Sequence, residues 1–336
     1  MKKQHRDIAK RILRNIPFFG AAVKAMHRAQ RRPFKLPPGS ICFETSSFCN
    51  LKCSYCPQSV EGAIKEKGMM NRETMGRILE NIDAKHIRSV GFTGIGETFL
   101  NKEWAVILGM VRKKFPAAII SMNTNGILLD YAKFESILEN KVDTVSVSLN
   151  AVNKERYIQI NRADHFDDLV AGIKAIIQRY QSSPAKFTRL QIQLLDTVNS
   201  DEEISDFIRK FSITENRYVT FYANPYSNWG GLIFEKKTKE ERYPCTHLYI
   251  PDVNYRGEVY ACGVGHANSD SEFLIGDLTK EPHEKVYQSA NFMRLHEANM
   301  KGRLEMENKL CADCNSWNRI GNIYFKNPFP FGSKWL

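Results

Sequence analysis

Three cysteines in one short segment offer the chain's clearest capacity for chemistry. They stand at Cys49-x3-Cys53-x2-Cys56, directly after the first strand-like run. Three thiolates on a short loop can hold three irons of a [4Fe-4S] cube, which leaves the fourth iron open to a ligand from outside the protein. A structural zinc site is the alternative, but such sites are closed by four ligands and usually contain C-x2-C pairs. The spacing therefore favours an open cluster at this loop.

A second group of four cysteines lies far along the chain, at Cys245, Cys262, Cys311 and Cys314. Four thiolates can close one auxiliary cluster completely, although a closed all-thiolate zinc site fits the same count. The remaining cysteine, Cys42, is expected to be a buried and inert thiol. A disulfide framework is disfavoured in a chain of this size without a secretory signal.

Alternating elements must position these cysteines. The strand-like runs are rich in β-branched and aromatic residues, and helical patterns lie between them. Six βα units in series predict a parallel sheet with helices outside, open or barrel-like, with chemistry at the carboxyl ends of the strands. The predicted strands are Ser40–Thr45, Ser89–Thr93, Ala118–Asn123, Thr144–Leu149, Leu190–Leu195 and Tyr218–Tyr222. The predicted helices are Arg72–Ile82, Glu103–Lys114, Phe134–Glu139, Phe166–Arg179 and Asp201–Phe211.

The net charge of +11 is concentrated at one end of the chain. Residues 1–32 hold four Lys and six Arg against one Asp, and so carry +9 of it. This basic amphipathic arm either contacts an anionic surface such as lipid headgroups or docks its apolar face on the protein. Because the other 304 residues are nearly balanced, a nucleic-acid partner is disfavoured. The longest early apolar run is too short to span a bilayer, so the sequence predicts a cytoplasmic protein, with peripheral membrane contact through the arm as an open alternative.

The first cysteine group resembles the signature of the radical S-adenosylmethionine (SAM) superfamily, C-x3-C-x-aromatic-C, with Tyr55 as the aromatic residue. Gly94-Ile95-Gly96-Glu97 stands where that family carries a Gly-Gly-Glu motif, whose backbone and acid receive the amino group of methionine. Thr98 replaces the proline that usually follows. A carboxylate pairs well with an ammonium, so the resemblance implies a role for Glu97 in SAM binding.

Further polar residues follow the third and fourth strands and match the resemblance in order. Asn123 begins an Asn-Thr-Asn-Gly turn, and Ser148 and Asn150 end the fourth strand, where family members place polar groups near SAM. Arg162 stands where relatives use an arginine for the SAM carboxylate, a partner that suits a guanidinium. Each of these residues is also compatible with a cap, a turn or a surface position.

The second cysteine group, with Gly257 in a C-x11-G-x4-C segment, resembles the SPASM/twitch extension of radical SAM enzymes. Four cysteines select the twitch type, with one auxiliary [4Fe-4S] cluster. The resemblance implies a partial (β/α)6 TIM-like barrel and a small C-terminal iron-sulfur domain. The expected divisions are a basic arm and linker over 1–37, a radical SAM core over 38–235 and the auxiliary domain over 236–336.

The resemblance further implies that the cluster, once reduced by a flavodoxin- or ferredoxin-type donor, cleaves SAM and that the resulting radical abstracts a substrate hydrogen atom. The predicted reaction is dehydrogenation or epimerisation of a carbohydrate-like or nucleotide-linked small molecule. Epimerisation needs a hydrogen donor, for which Cys42 is the free candidate. No base is identifiable, because His247 and His266 flank the second site but are also compatible with the surface. The segment from Tyr222 to Trp229 offers substrate contacts or interdomain packing.

Two other functions stay open. The first is maturation of a ribosomally made peptide by cross-linking or epimerisation. About 39 residues precede the barrel, which is short for the usual peptide-recognition domain. The second is a zinc-stabilised binding protein without catalysis, in which Glu97, Arg162 and the three-cysteine loop would have no role.

Overall fold

A computed structural model describes residues 36–181, 188–195, 200–210, 219–224, 227–235 and 244–316. The predicted basic arm therefore lies outside the described residues. In the first part, strands alternate with helices as β1 (Ser40–Phe43), α1 (Arg72–Glu80), β2 (Ser89–Phe92), α2 (Trp104–Lys114), β3 (Ile119–Thr124), α3 (Tyr131–Glu139), β4 (Thr144–Asn150), α4 (Lys154–Asn161), α5 (Phe166–Gln181), β5 (Arg189–Leu195), α6 (Asp201–Lys210) and β6 (Val219–Asn224).

Shorter elements make up the C-terminal part of the described chain. They are β7 (Asp252–Val253), β8 (Glu258–Tyr260), α7 (Gly263–Ala267), β9 (Leu274–Asp277), α8 (His283–Val286), α9 (Ala290–Met300), α10 (Leu304–Glu307) and α11 (Lys309–Asp313). The described strands form one sheet in the order β6-β5-β4-β3-β2-β1-β7-β8-β9. Strands β1 to β6 are parallel, β7 runs parallel to β1, and β8 and β9 continue antiparallel. The C-terminal segment thus extends the sheet of the core.

The helices form where apolar residues recur at helical spacing behind a polar cap. The Asn71 side chain accepts the Thr74 N–H at the start of α1, which buries Met75, Ile78 and Leu79. Asp130 caps α3 in the same way. A cap of this kind satisfies a backbone donor that the first helical turn leaves open. The buried stripes hold the helices against one face of the sheet.

The two faces of the six parallel strands differ sharply in composition. The face under the helices is aliphatic and aromatic, with Phe43, Phe92, Met122, Val145 and Leu190 among its buried residues. On the opposite, inner face, one register row runs Cys42, Gly91, Ser121, Thr144, Arg189 and the next runs Asn123, Ser146, Gln191, Thr220. A closed barrel of this class fills its interior with branched aliphatic side chains. This inner face instead presents hydroxyls and amides.

The structure confirms the predicted α/β architecture, a partial TIM-like barrel. The six predicted strands lie within one or two residues of their observed positions, apart from the Tyr218 end of the last, which falls outside the described residues. Helix α4 was not predicted, because it is short, polar and buries only Tyr157, Ile160 and Asn161. None of the helices in the described part of the chain has the length and hydropathy required to cross a bilayer.

Candidate active site

The three-cysteine loop leaves the carboxyl end of β1 and is anchored on both sides. The Gln58 amide donates to the carbonyl oxygens of Ser47 (2.8 Å) and Ile95 (3.2 Å). The Glu97 N–H donates to the Phe48 carbonyl oxygen at 2.8 Å. These bonds join the loop after β1 to the loop after β2 and fix the chain on either side of Cys49.

The thiols of this loop are half-buried and have amide neighbours. The Cys53 thiol donates to Asn161 Oδ1 at 3.2 Å, and the Asn125 amide lies 3.8 Å from the Cys49 sulfur. Burial raises the pKa of Cys53 to about 12 and that of Cys56 to about 11. Without a cation the thiols therefore stay neutral, and a bound metal core supplies the positive charge that thiolates require.

The spacing of the cysteine sulfurs can be compared with the spacing that a bound zinc ion imposes. Among the His, Cys, Asp and Glu side chains of the described residues, a single set of three has all its donor atoms within 4.8 Å of one another. It consists of Asp83, His86 and Glu284 and contains no cysteine. A tetrahedral zinc ion with Zn–S bonds of about 2.3 Å holds its sulfurs about 3.8 Å apart. No three sulfurs of either cysteine group all lie within 4.8 Å of one another, so neither group has the spacing of thiolates on a bound zinc ion.

The two glycines of the Gly94-Ile95-Gly96-Glu97 motif allow close packing of the two loops. A Cβ on Gly96 would lie 2.0 Å from the Ser46 carbonyl oxygen and 2.6 Å from that of Phe48. A Cβ on Gly94 would lie 2.7 Å from the Glu44 side chain. Whatever the motif contributes to SAM binding, its glycines are required where the loop after β2 crosses the cysteine loop.

The Glu97 carboxylate is buried and holds the turn after β3. It accepts the Asn125 N–H at 2.7 Å, the Thr124 hydroxyl at 2.9 Å and the Phe99 N–H at 3.2 Å. Burial raises its pKa above the ordinary range, against the lowering effect of these donors. Glu97 therefore positions Asn125 beside Cys49, and its predicted contact with the methionine amino group stays a prediction.

Replacement of Glu97 by glutamine should lower the melting temperature of the cluster-free protein by several degrees. The new amide would turn an N–H towards one of three buried donors, a mismatch of about 1–3 kcal/mol. Calorimetry measures the shift, and Glu80→Gln, at an exposed position of α1, is the matched control. Equal melting temperatures for the two variants would limit Glu97 to a ligand contact.

An amide network lies beneath the cysteine loop. The Asn150 amide donates to the Tyr55 hydroxyl at 2.8 Å and to Asn161 Oδ1 at 3.0 Å, and Asn161 in turn accepts from Cys53. Asn150 adopts φ +68°, a left-handed conformation that asparagine tolerates better than most residues. The structure thus places two of the predicted SAM-binding residues, Tyr55 and Asn150, in direct contact. Asn161 was missed, because nothing in its spacing marks it.

The other predicted SAM-binding residues do not belong to this amide network. Arg162 directly follows the last residue of α4 and adopts φ +55°. It is exposed, and its side chain has no hydrogen-bond or ion-pair partner among the described residues. Asn123 is exposed and donates to the Thr93 hydroxyl at 3.2 Å. Ser148 lies on the inner face opposite Gln193. Their contacts with SAM stay predictions.

All four cysteines of the second group line one cavity, together with His247, Leu304 and Phe273. Asn299 of α9 clamps the first of them, because its side chain accepts the Cys245 N–H (2.7 Å) and donates to the Cys245 carbonyl (3.0 Å). The Cys262 sulfur accepts from the Gly265 N–H and the Cys314 sulfur from the Ser316 N–H. The walls of this cavity are otherwise largely apolar.

His266 is not a surface residue, contrary to one reading of the sequence. It is 7% exposed and lies between two acids, with Nδ1 3.4 Å from Asp252 and Nε2 3.5 Å from Glu44. Burial acts to lower its pKa, but the two carboxylates raise it above the ordinary value. Glu44 also accepts the Ile95 N–H at 2.9 Å. This Glu44–His266 pair joins the glycine loop to α7, which begins directly after Cys262.

The sequence matches the family described as the Radical SAM superfamily over residues 43–211, half of the chain. It is 25% identical over 157 residues to a GTP 3',8-cyclase of Chlorobaculum tepidum, a match covering 47% of this chain and 45% of the relative. The chain thus spans about half the length of this curated relative. Among solved structures, BtrN in complex with AdoMet and 2-DOIA aligns with a TM-score of 0.57, 19% identity and coverage of 84% and 94%. Streptococcus suis SuiB bound to the precursor peptide SuiA aligns with a TM-score of 0.60, 16% identity and coverage of 91% and 76%.

Proposed function

Because the chain belongs to the radical SAM superfamily, we propose that it dehydrogenates or epimerises a hydroxyl-bearing carbon of a carbohydrate-like small molecule. Residues 38–235 form the SAM-cleaving core in this proposal, and residues 236–336 form the auxiliary domain. The protein uses a [4Fe-4S] cluster and SAM as its family does, with Cys49, Cys53 and Cys56 as the proposed ligands.

When bound, SAM and the two clusters supply a radical that removes a hydrogen atom from carbon and, in dehydrogenation, an acceptor for the remaining electron. The chain's own residues hold and shield these groups. Asn125 and Asn161 place amides beside Cys49 and Cys53, and Glu97 fixes the turn that carries Asn125. Arg162, whose side chain is exposed and without a described partner, is the proposed contact for the SAM carboxylate.

The polar inner face of the sheet is the observation that supports this substrate class. Ser146 donates to Gln191 Oε1 at 3.1 Å, and Ser40 and Ser89 share a hydrogen bond of 2.7 Å. Ser121, Gln191 and Thr220 are partly exposed, so the face is open to a ligand. Hydroxyls and amides offer paired donors and acceptors, which match the hydroxyls of a sugar or cyclitol.

Charge on the described inner face argues against a polyphosphate ligand at that face. Its basic residue, Arg189, stands at the amino end of β5, whereas the cysteine loop follows the carboxyl end of β1. A triphosphate would need cations grouped near the reacting carbon. The proposal therefore favours a hydroxyl-rich substrate of low charge over a free nucleotide.

A substrate panel with anaerobically reconstituted protein tests the proposal. Formation of 5'-deoxyadenosine should rise with cyclitols or sugars. With a substrate deuterated at the reacting carbon, one deuterium should move into that product. Stimulation by a precursor-type peptide alone would reject the carbohydrate proposal. Stimulation by GTP alone would reject it equally.

A Cys42 variant can distinguish epimerisation from dehydrogenation. The Cys42 sulfur lies on the inner face, where Gly91 leaves room for it. A Cβ on Gly91 would lie 2.8 Å from that sulfur. Burial raises the pKa of this thiol well above its usual value, so it carries a hydrogen atom at neutral pH. If Cys42 donates that atom during epimerisation, Cys42→Ala should stop product formation while SAM cleavage continues. Unchanged turnover would favour dehydrogenation.

A further inference from the structure

The segment of residues 227–231, here termed the strap, lies between the two cysteine sites. It contains the described end of the stretch predicted either to contact substrate or to pack between domains; side chains 222–226 lie outside the description. In the middle of the strap, Trp229 Nε1 donates to the Tyr55 carbonyl oxygen at 2.9 Å. That oxygen belongs to the peptide bond that enters Cys56. The strap is therefore attached directly to the SAM-cluster loop.

The preceding residue, Asn228, attaches the strap to the auxiliary cysteine loop. The Asn228 amide donates to the Asp313 carbonyl at 2.6 Å, and Asn228 Oδ1 accepts the Asn315 N–H at 3.0 Å. In turn, the Asn228 N–H donates to Asn315 Oδ1 at 2.9 Å. These three bonds flank Cys314 on both sides and fix the backbone that carries it.

Further contacts fix the backbone of the strap at and after Trp229. Trp229 adopts φ +51°, a left-handed conformation that residues with side chains rarely adopt. Its backbone is fixed by the Asn268 amide, which donates to the Trp229 carbonyl at 3.0 Å. Gly230 follows with φ +71°, and a Cβ there would lie 2.3 Å from Leu310. Such a segment transmits displacement because its packing leaves little slack.

The route that the strap provides between the two sites is direct. From Cys56 it crosses one hydrogen bond to Trp229, passes along the chain to Asn228 and crosses a second hydrogen bond to Asn315, the neighbour of Cys314. The Glu44–His266 pair provides a separate connection, from the glycine loop to the helix that follows Cys262. Both loops of the SAM site are therefore joined to auxiliary ligands.

We propose that the strap couples the two cluster sites, with Trp229 and Asn228 as positioning residues. Loading of the auxiliary site fixes Cys314 and its flanking backbone, and the strap then holds Cys56 in the position that binds SAM well. By linkage, SAM binding favours the loaded auxiliary site to the same extent. The inference rests on the proposed SAM-cluster function but not on the identity of the substrate.

Trp229→Phe tests the coupling, because it retains an aromatic ring and removes the Nε1 donor. We expect iron to stay at about eight per chain and SAM affinity to fall roughly tenfold, as loss of one well-ordered hydrogen bond would give. SAM titration of the reduced cluster, followed by electron paramagnetic resonance, measures this without turnover. Tyr180→Phe is the matched control: it removes a donor to the Thr188 carbonyl (2.6 Å), distant in sequence from both cysteine loops, and should leave SAM affinity unchanged.

A double-mutant cycle separates coupling from local damage. Cys311→Ala/Cys314→Ala should weaken SAM binding by itself, and Trp229→Phe in that background should add little. Additive losses, or unchanged SAM affinity in Trp229→Phe, would overturn the proposal. If Trp229→Phe loses iron, Asn228→Asp, which replaces the donor to the Asp313 carbonyl by a carboxylate oxygen and leaves an acceptor for the Asn315 N–H, must weaken SAM binding instead. Failure of the carbohydrate panel would leave these binding results unaffected.

Discussion

Replacing Cys53 with serine is expected to abolish reductive cleavage of SAM while leaving the fold intact. The serine hydroxyl can keep the hydrogen bond to Asn161 Oδ1 that the thiol makes at 3.2 Å. It cannot replace a thiolate on iron, because its pKa is far too high and oxygen is a poor ligand for this soft site. Iron should fall from about eight to about four per chain. The measurements are iron and sulfide content and formation of 5'-deoxyadenosine under a chemical reductant.

Cys42→Ala provides the control for this loss. It also removes one sulfur, but Cys42 lies within β1 and belongs to neither ligand group, so this variant should retain all the iron. Zinc measured on the same samples gives the opposing outcome. Stoichiometric zinc without iron in the wild-type protein, lost in Cys53→Ser, would replace the radical enzyme by a zinc-stabilised binding protein.

Gly96→Ala should reduce SAM cleavage nearly as much as Cys53→Ser, because it displaces the cysteine loop instead of removing a ligand. Its Cβ would lie 2.0 Å from the Ser46 carbonyl oxygen, and both that atom and the Phe48 oxygen are backbone. Because neither can rotate away, the cysteine loop must move, at a cost of about 3 kcal/mol. The bond from the Glu97 N–H to the Phe48 carbonyl would break with it. We expect loss of the SAM cluster and of SAM cleavage, with the auxiliary cluster retained at about four irons.

Gly172→Ala is the matched control, since a Cβ at that position of α5 would meet nothing within 4 Å. It should stabilise the protein by about 0.5–1 kcal/mol, as alanine does in place of glycine within a helix. Spectra of the reduced clusters and thermal unfolding distinguish the two variants. Full cluster loading in Gly96→Ala would show that the two loops tolerate separation.

The sequence predicted the parts of this molecule that depend on local pattern. The six strands were found because their β-branched runs are bounded by turns. The two cysteine groups were recognised from residue type and spacing, and the structure brings all four cysteines of the second group to one cavity. Helix α4 was not predicted, because it is short and mostly polar. Its last residue, Asn161, was therefore not recognised as part of the site, although it contacts Cys53 directly.

What could not be predicted are contacts created by packing between distant segments. Trp229 and Tyr55 are 174 positions apart, and no periodicity relates them. His266 could not be placed from sequence because a lone histidine has the same appearance on a surface as between two buried acids. The glycines of the Gly94–Glu97 motif show a third case. The expected reason was approach to a ligand, whereas the visible constraint is the crossing of two loops.

The parallel pairing of β7 with β1 has a consequence for how this protein can be divided. Glu44 N–H donates to the Val253 carbonyl (2.8 Å) and Cys42 N–H to the Pro251 carbonyl (2.9 Å). Truncation after the six parallel strands would turn β1 from an interior strand into a bare edge and leave the Glu44 acid without its imidazole. Unprotected edges recruit other chains and aggregate. The C-terminal segment therefore covers a strand edge that the six parallel strands would expose without it.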